Sequence, residues 1–208
     1  MEILPKLNET FDCIFIDGDH NWYTVYSELK TIEERGLLAA NGGILFHDVG
    51  WPYGRRDMYY VPESIPQEFR HAYAQKGISG NKSELSQTGG FNTNLNNAVF
   101  EGGQRNGVLT AIKDFIKFSK NKYGLLIANQ QHGLGILIHL GDEKTSHIFR
   151  KWRIKILKKN MLTIIPYGVI CEDMGSECIK DKVKNLLRTK SPALFSILKG
   201  IKNQYKNK

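Results

Sequence analysis

The chain has 208 residues, 41% hydrophobic and 24% charged, which excludes a disordered or fibrous protein and fits an ordinary globular one. Its net charge of +8 is unevenly spread: residues 1–140 hold 13 Lys+Arg against 15 Asp+Glu, and residues 141–208 hold 16 against 6. No apolar run approaches the ~20 residues of a membrane-spanning helix, residues 1–10 lack the basic-then-apolar pattern expected of a secretory signal, and Cys13, Cys171 and Cys178 are too few for a disulfide framework. A reducing cytoplasm is the expected setting. The length suits one domain, expected over residues 1–140, with a basic, partly helical tail over 141–208. Such a tail can bind anionic surfaces weakly, but it carries no recognised nucleic-acid-binding module.

The first element is a short apolar run that stops at Asp17-Gly18, the pattern of a buried parallel strand ending at a polar rim. Apolar residues Trp22, Val25, Tyr26, Leu29 and Ile32 then recur at spacings of three and four, predicting a helix over 21–35 that stops at Gly36. Residues 37–43 are expected to turn the chain into a second strand at 44–46, which ends at His47-Asp48. A strand–helix–strand unit predicts two parallel strands. It therefore places Asp17 and Asp48 at the same carboxyl edge, where open α/β sheets bind ligands. Residues 50–106 show no sustained period but are rich in aromatics, which predicts an ordered covering over the strand ends, with a short helix at 66–75. An amphipathic helix follows, with Val108, Ala111, Ile112, Phe115 and Ile116 on one face. Strands at 125–127 and 135–138, joined by a turn at 130–133, predict an antiparallel pair. In the tail, helices are expected at 148–157, 179–187 and 193–201, with an apolar stretch at 161–169.

Five segments carry a family resemblance. FDCIFIDGDH (11–20) resembles the fourth-strand motif, and LAANGGILFHD (38–48) the fifth-strand motif, of class I S-adenosylmethionine-dependent methyltransferases. The branch concerned modifies small molecules and sugars. GWPYGRRDMYY (50–60), with GGQRNG (102–107) and HGLGI (132–136), is similar to a bacterial subgroup linked with glycan biosynthesis. The resemblance implies an α/β fold built from strands four to seven of a Rossmann-like methyltransferase sheet, the last pair antiparallel. It implies O-methylation of a small-molecule acceptor or glycan precursor. It also implies S-adenosylmethionine as cofactor, with Mg²⁺ or another divalent metal. The family grips its cofactor through a Gly-rich turn after the first strand and an acidic residue after the second. Neither stands upstream of Phe11, so the expectation is an N-terminally truncated enzyme, completed by a homodimer partner or a missing N-terminal half.

The resemblance assigns Asp17, His47 and Asp48 to a metal, Asp17 and His20 to the cofactor, and Asp19 and His20 to acid–base work. His47 stands where the family often has a carboxylate, which weakens a pure Mg²⁺ reading and admits a softer metal. Trp51, Tyr53, Arg55 and Arg56 are the expected substrate contacts, the arginines as bidentate anion binders. Plainer roles compete. Asp19 suits a helix N-cap, His20 and His47 could be packed imidazoles, and Arg55 and Arg56 could pair with Asp57 or Glu63. Two other functions also compete. One is a non-catalytic binding module that cannot hold the cofactor alone. The other is a metal-dependent hydrolase, which would recruit His132 and His139 as further ligands.

Overall fold

In a computed structural model, residues 3–80, 82–128, 132–147, 149, 163–165 and 168–171 are described. The protein is a mixed α/β structure. Strand β1 (Phe11–Ile16) leads into helix α1 (Trp22–Arg35) and strand β2 (Leu38–Phe46). After the covering segment come helix α2 (Val108–Phe118), β6 (Tyr123–Ala128), β7 (Leu134–His139), β8 (Thr163–Ile165) and β9 (Gly168–Cys171). The large sheet runs β1-β2-β7-β6-β9-β8. β1 and β2 are parallel and β6 and β7 antiparallel, as the sequence predicts. The β8–β9 hairpin joins through a parallel β9–β6 pairing, so the sheet extends past the domain limit expected at residue 140. None of the described helices is long and apolar enough to cross a membrane.

Helix α1 begins where the side chain of Asn21 accepts a hydrogen bond from Thr24 N, and it ends at Gly36 in the left-handed conformation. Its apolar stripe, Val25, Leu29 and Ile32, is buried against Val108, Ala111, Ile112 and Phe115 of α2 and against Ile44, Phe46, Leu125, Ile127 and Leu137 of the sheet. Burying each such side chain contributes roughly 1.5–3 kcal/mol, so both helices are held by one face of the sheet.

The turn expected at 37–43 is instead the first half of a nine-residue strand. Phe11 pairs with Leu38 and Cys13 with Gly43, so the extra residues of β2 are absorbed in an irregularity beside β1. The helix expected at 66–75 is also corrected. Pro62–Ser64 and Gln67–Phe69 are single 3₁₀ turns, and Tyr73–Gln75 is a strand. That strand, β4, lies with β3 (Met58–Tyr59) and β5 (Asn96–Ala98) in a small antiparallel sheet ordered β3-β5-β4. Pro62 and Pro66 each open one of the 3₁₀ turns and lack the N–H that a longer helix needs in its interior. The helices expected in the tail, at 148–157, 179–187 and 193–201, lie outside the described residues apart from the single position 149.

Candidate functional site

Parallel pairing of Ile16 with Phe46 brings the two strand ends side by side. The next residues, Asp17 and His47, then face each other across the carboxyl edge, with Asp17 Oδ1 3.5 Å from His47 Nδ1. Asp48 follows in the left-handed region, at φ 58°, a conformation that non-glycine residues adopt rarely and that clusters at functional sites. This turn swings the Asp48 carboxylate back over the edge. Its Oδ2 lies 2.8 Å from His47 Nδ1 and 2.7 Å from His20 Nε2, between two imidazoles. The His20 contact is close but off the line of a hydrogen bond, and His20 Nδ1 is buried with no partner among the described residues.

Electrostatics separate the two carboxylates. Burial pushes the pKa of Asp17 up, and the nearby charge of Asp48 adds to this, against the pull of His47 and His20. Burial would also raise Asp48, but the close approach and charge of His20, with the hydrogen bond and charge of His47, outweigh it and hold the group below the ordinary carboxylate range. Asp48 is thus the firmer anion of the pair.

Asp17, His47 and Asp48 each offer one ligand atom, and these atoms lie within 4.8 Å of one another. Separations of 2.8 and 3.5 Å between Nδ1 and the two carboxylate oxygens are close to the edges of a coordination shell with bonds of ~2.1 Å. The residues therefore fit a divalent cation. A donor set of one nitrogen and two oxygens suits manganese, iron or zinc better than the all-oxygen preference of Mg²⁺.

S-Adenosylmethionine fits the described residues poorly. The β1–α1 turn has a single glycine, Gly18, whose φ is not positive and whose Cβ position is open. No close backbone approach of the Gly-rich kind is built there.

The remaining candidates divide. Asp19 stays out of the cluster and accepts a hydrogen bond from the Thr24 hydroxyl at 3.1 Å, while Asn21 is the N-cap. Tyr53 is buried beside the His20 ring, at 5.4 Å, and its hydroxyl bonds to Asn97 and Asn92, so it backs the site instead of meeting solvent. Trp51 is 41% exposed and packs on Phe91, which in turn touches the ring of His132. Arg55 is exposed but lies against Gly102. Arg56 is fully buried and donates to the carbonyls of Ala98 and Ser83, with Glu101 at 3.9 Å. Its two terminal nitrogens are turned inward to tie the covering together, which corrects the expectation of an anion-binding arginine. His132 reaches the site edge, its ring 6.3 Å from that of His47, whereas His139 lies at the other end of β7, beside Ala39 O. The two histidines a hydrolase would recruit are therefore not brought together.

Two features escaped sequence reading. Tyr60, 53% exposed, stands 5.9 Å from the His20 ring at the mouth of the site. Asp57 is wholly buried and accepts from Trp22 N (2.7 Å), Gly107 N (2.6 Å) and the Tyr59 hydroxyl (2.9 Å). With Met58 N donating to His20 O at 3.0 Å, it clamps the covering onto the loop that carries His20. An Asp directly after two arginines in an aperiodic segment gave no signal for this.

No protein-family model, curated protein or solved structure matches this chain.

Proposed function

We propose that the strand-end site binds one divalent transition metal through Asp17, His47 and Asp48, and that the chain is the metal- and acceptor-bearing half of an S-adenosylmethionine-dependent O-methyltransferase. The observation that carries this is the convergence of three ligand atoms on the carboxyl edge of adjacent parallel strands. The arrangement of parallel β1 and β2 beside the antiparallel β6–β7 pair is consistent with strands four to seven of a Rossmann-like methyltransferase sheet.

A bound metal would lower the pKa of a coordinated acceptor hydroxyl. His20, whose two ring nitrogens are buried and whose Nε2 sits against the Asp48 carboxylate, would orient that ligand and offset its charge. Asp17 and Asp48 would balance the cation's charge. Trp51 and Tyr60 present exposed rings at the rim, where an acceptor ring can pack. The proposed acceptor is a hydroxyl-bearing small molecule or glycan precursor. Under this reading the nucleoside end of the methyl donor is held by groups other than the described residues, such as a second subunit, and no step is assigned to it.

Calorimetric titration of the chain with Mn²⁺, Zn²⁺ and Mg²⁺, followed by S-adenosylmethionine with and without metal, tests the proposal. The expected result is saturable binding of a transition metal, weakened at least about tenfold in Asp48→Asn and in His47→Ala, since each removes one of three ligands. Binding of S-adenosylmethionine below about 100 µM, worth roughly 5.5 kcal/mol, would support a transferase completed by self-association. Metal binding without it would favour the non-catalytic binding module. A folded protein that binds no metal would overturn the site.

A further inference from the structure

We propose that the cleft between α1 and α2 is a second binding site, for a small molecule that joins a flat ring to an anionic group. The cleft has a volume of about 690 Å³, within the ~300–1,000 Å³ of small-molecule pockets. It shares no lining residue with the Asp17–His47–Asp48 cluster.

Its wall is aromatic. Tyr26 stacks on Trp22 at 4.6 Å and 10°, and Phe69 lies against both Trp22 and Tyr23. Phe118, at the far lip, is 65% exposed. Flat apolar faces of this kind favour stacked or edge-on rings.

Its charge is cationic. The Arg105 guanidinium lies over Trp22 and Phe69 at 5.4 and 5.2 Å, and the Lys117 ammonium over Phe118 at 5.1 Å. Neither cation has a salt-bridge partner among the described residues. The one carboxylate in the lining, Asp114, accepts the indole N–H of Trp22 at 2.8 Å. An aromatic cation would be repelled by Arg105 and Lys117, while an anion meets two unpaired donors above a ring surface.

The loop that delivers Arg105 is built at a conformational cost. Arg105 itself has φ 51°, and Gly102, Gly103 and Gly107 also have positive φ. At Gly107 a Cβ would come within 2.5 Å of Arg56 N, so only glycine fits. Buried Asn106 pins the loop, donating to Phe100 O and Gly102 O and accepting from Asp57 N. A non-glycine residue held left-handed next to so firmly pinned a neighbour signals a position that matters for more than chain reversal.

Phenyl phosphate, titrated into the EDTA-treated full chain, is the probe, with phenol and inorganic phosphate as its two halves. The readout is the NMR signal of the Trp22 indole N–H. Phenyl phosphate is expected to shift that signal and to bind at least about tenfold more tightly than either half. Arg105→Gln and Lys117→Gln should each weaken it about tenfold, the scale of one charge-assisted contact. Lys117 is exposed, so its variant keeps the fold and the comparison stays interpretable. Binding should persist in Asp48→Asn. The proposal is overturned by no binding at millimolar concentration, by binding that leaves the Trp22 signal still, by equal affinity for inorganic phosphate, by an unchanged Kd in Lys117→Gln, or by loss of binding in Asp48→Asn.

Discussion

The sheet–helix layer and the covering over residues 50–106 are held together by different physics. In the layer, the core is an unbroken set of apolar side chains from α1, α2 and four strands. In the covering, the apolar cluster of buried residues shrinks to Tyr53, Met58, Ile78 and Leu85, and its interior is organised by Arg56, Asp57, Asn97 and Asn106, all buried and all hydrogen-bonded to backbone or side-chain partners. An apolar core tolerates changes of shape at graded cost. A polar hub is all or nothing, because a lost partner leaves the others buried and unsatisfied. The site inherits both: the layer supplies Asp17, His47 and Asp48, and the covering fixes His20.

The largest effect is expected at that hub. Asp57→Ala orphans three donors, at ~1–3 kcal/mol each, and should destabilise the protein by about 5 kcal/mol in urea denaturation. In hydrogen exchange, protection should fall first across residues 50–106. Leu29→Ala in the layer should cost about 2–5 kcal/mol and lower protection across the sheet. Equal, uniform losses of protection in the two variants would erase the distinction between the regions.

A buried carboxylate within the layer sharpens the contrast. Burial pushes Glu28 up to about 7 from an ordinary 4.5, with the charge of Asp19 adding to it, and its Oε2 is buried without a partner. A raised carboxyl pKa means the folded state binds the proton more tightly than the unfolded chain. The contribution of Glu28 to stability is therefore greatest below about 4.5 and is lost as pH rises through about 7. Glu28→Gln should flatten that slope and gain up to about 3 kcal/mol at pH 8, with no gain at pH 4. Thermal denaturation at the two pH values reads this directly, and an equal effect at both would place the strain elsewhere.

The smallest effect is at the helix start. Asn21→Ala removes the acceptor for Thr24 N, which lies 2.9 Å away, and should cost about 1 kcal/mol. A loss several-fold larger would mean that the covering, and not the cap alone, depends on this residue.

Most of the layer was legible in the residue order, though not the first half of β2 or the β8–β9 hairpin. Periods of three and four in α1 and α2, and short apolar runs ending in Asp17 and His47-Asp48, specify which faces are buried and which residues stand at the sheet edge, because apolar burial has a period that residue order records. The covering and the fine geometry of the site rest on contacts between residues far apart in the chain. Arg56 and Asp57 look alike in the sequence as exposed charges of a loop, yet both are buried, because their partners lie far along the chain: Trp22, Ser83, Ala98 and Gly107. Likewise Asp19 and His20 are neighbours in sequence, but only His20 is carried to Asp48, by the backbone bond from Met58. Hydrogen-bonded hubs join residues distant in the chain at fixed distances and angles, and that geometry leaves no periodic trace in the order of residues.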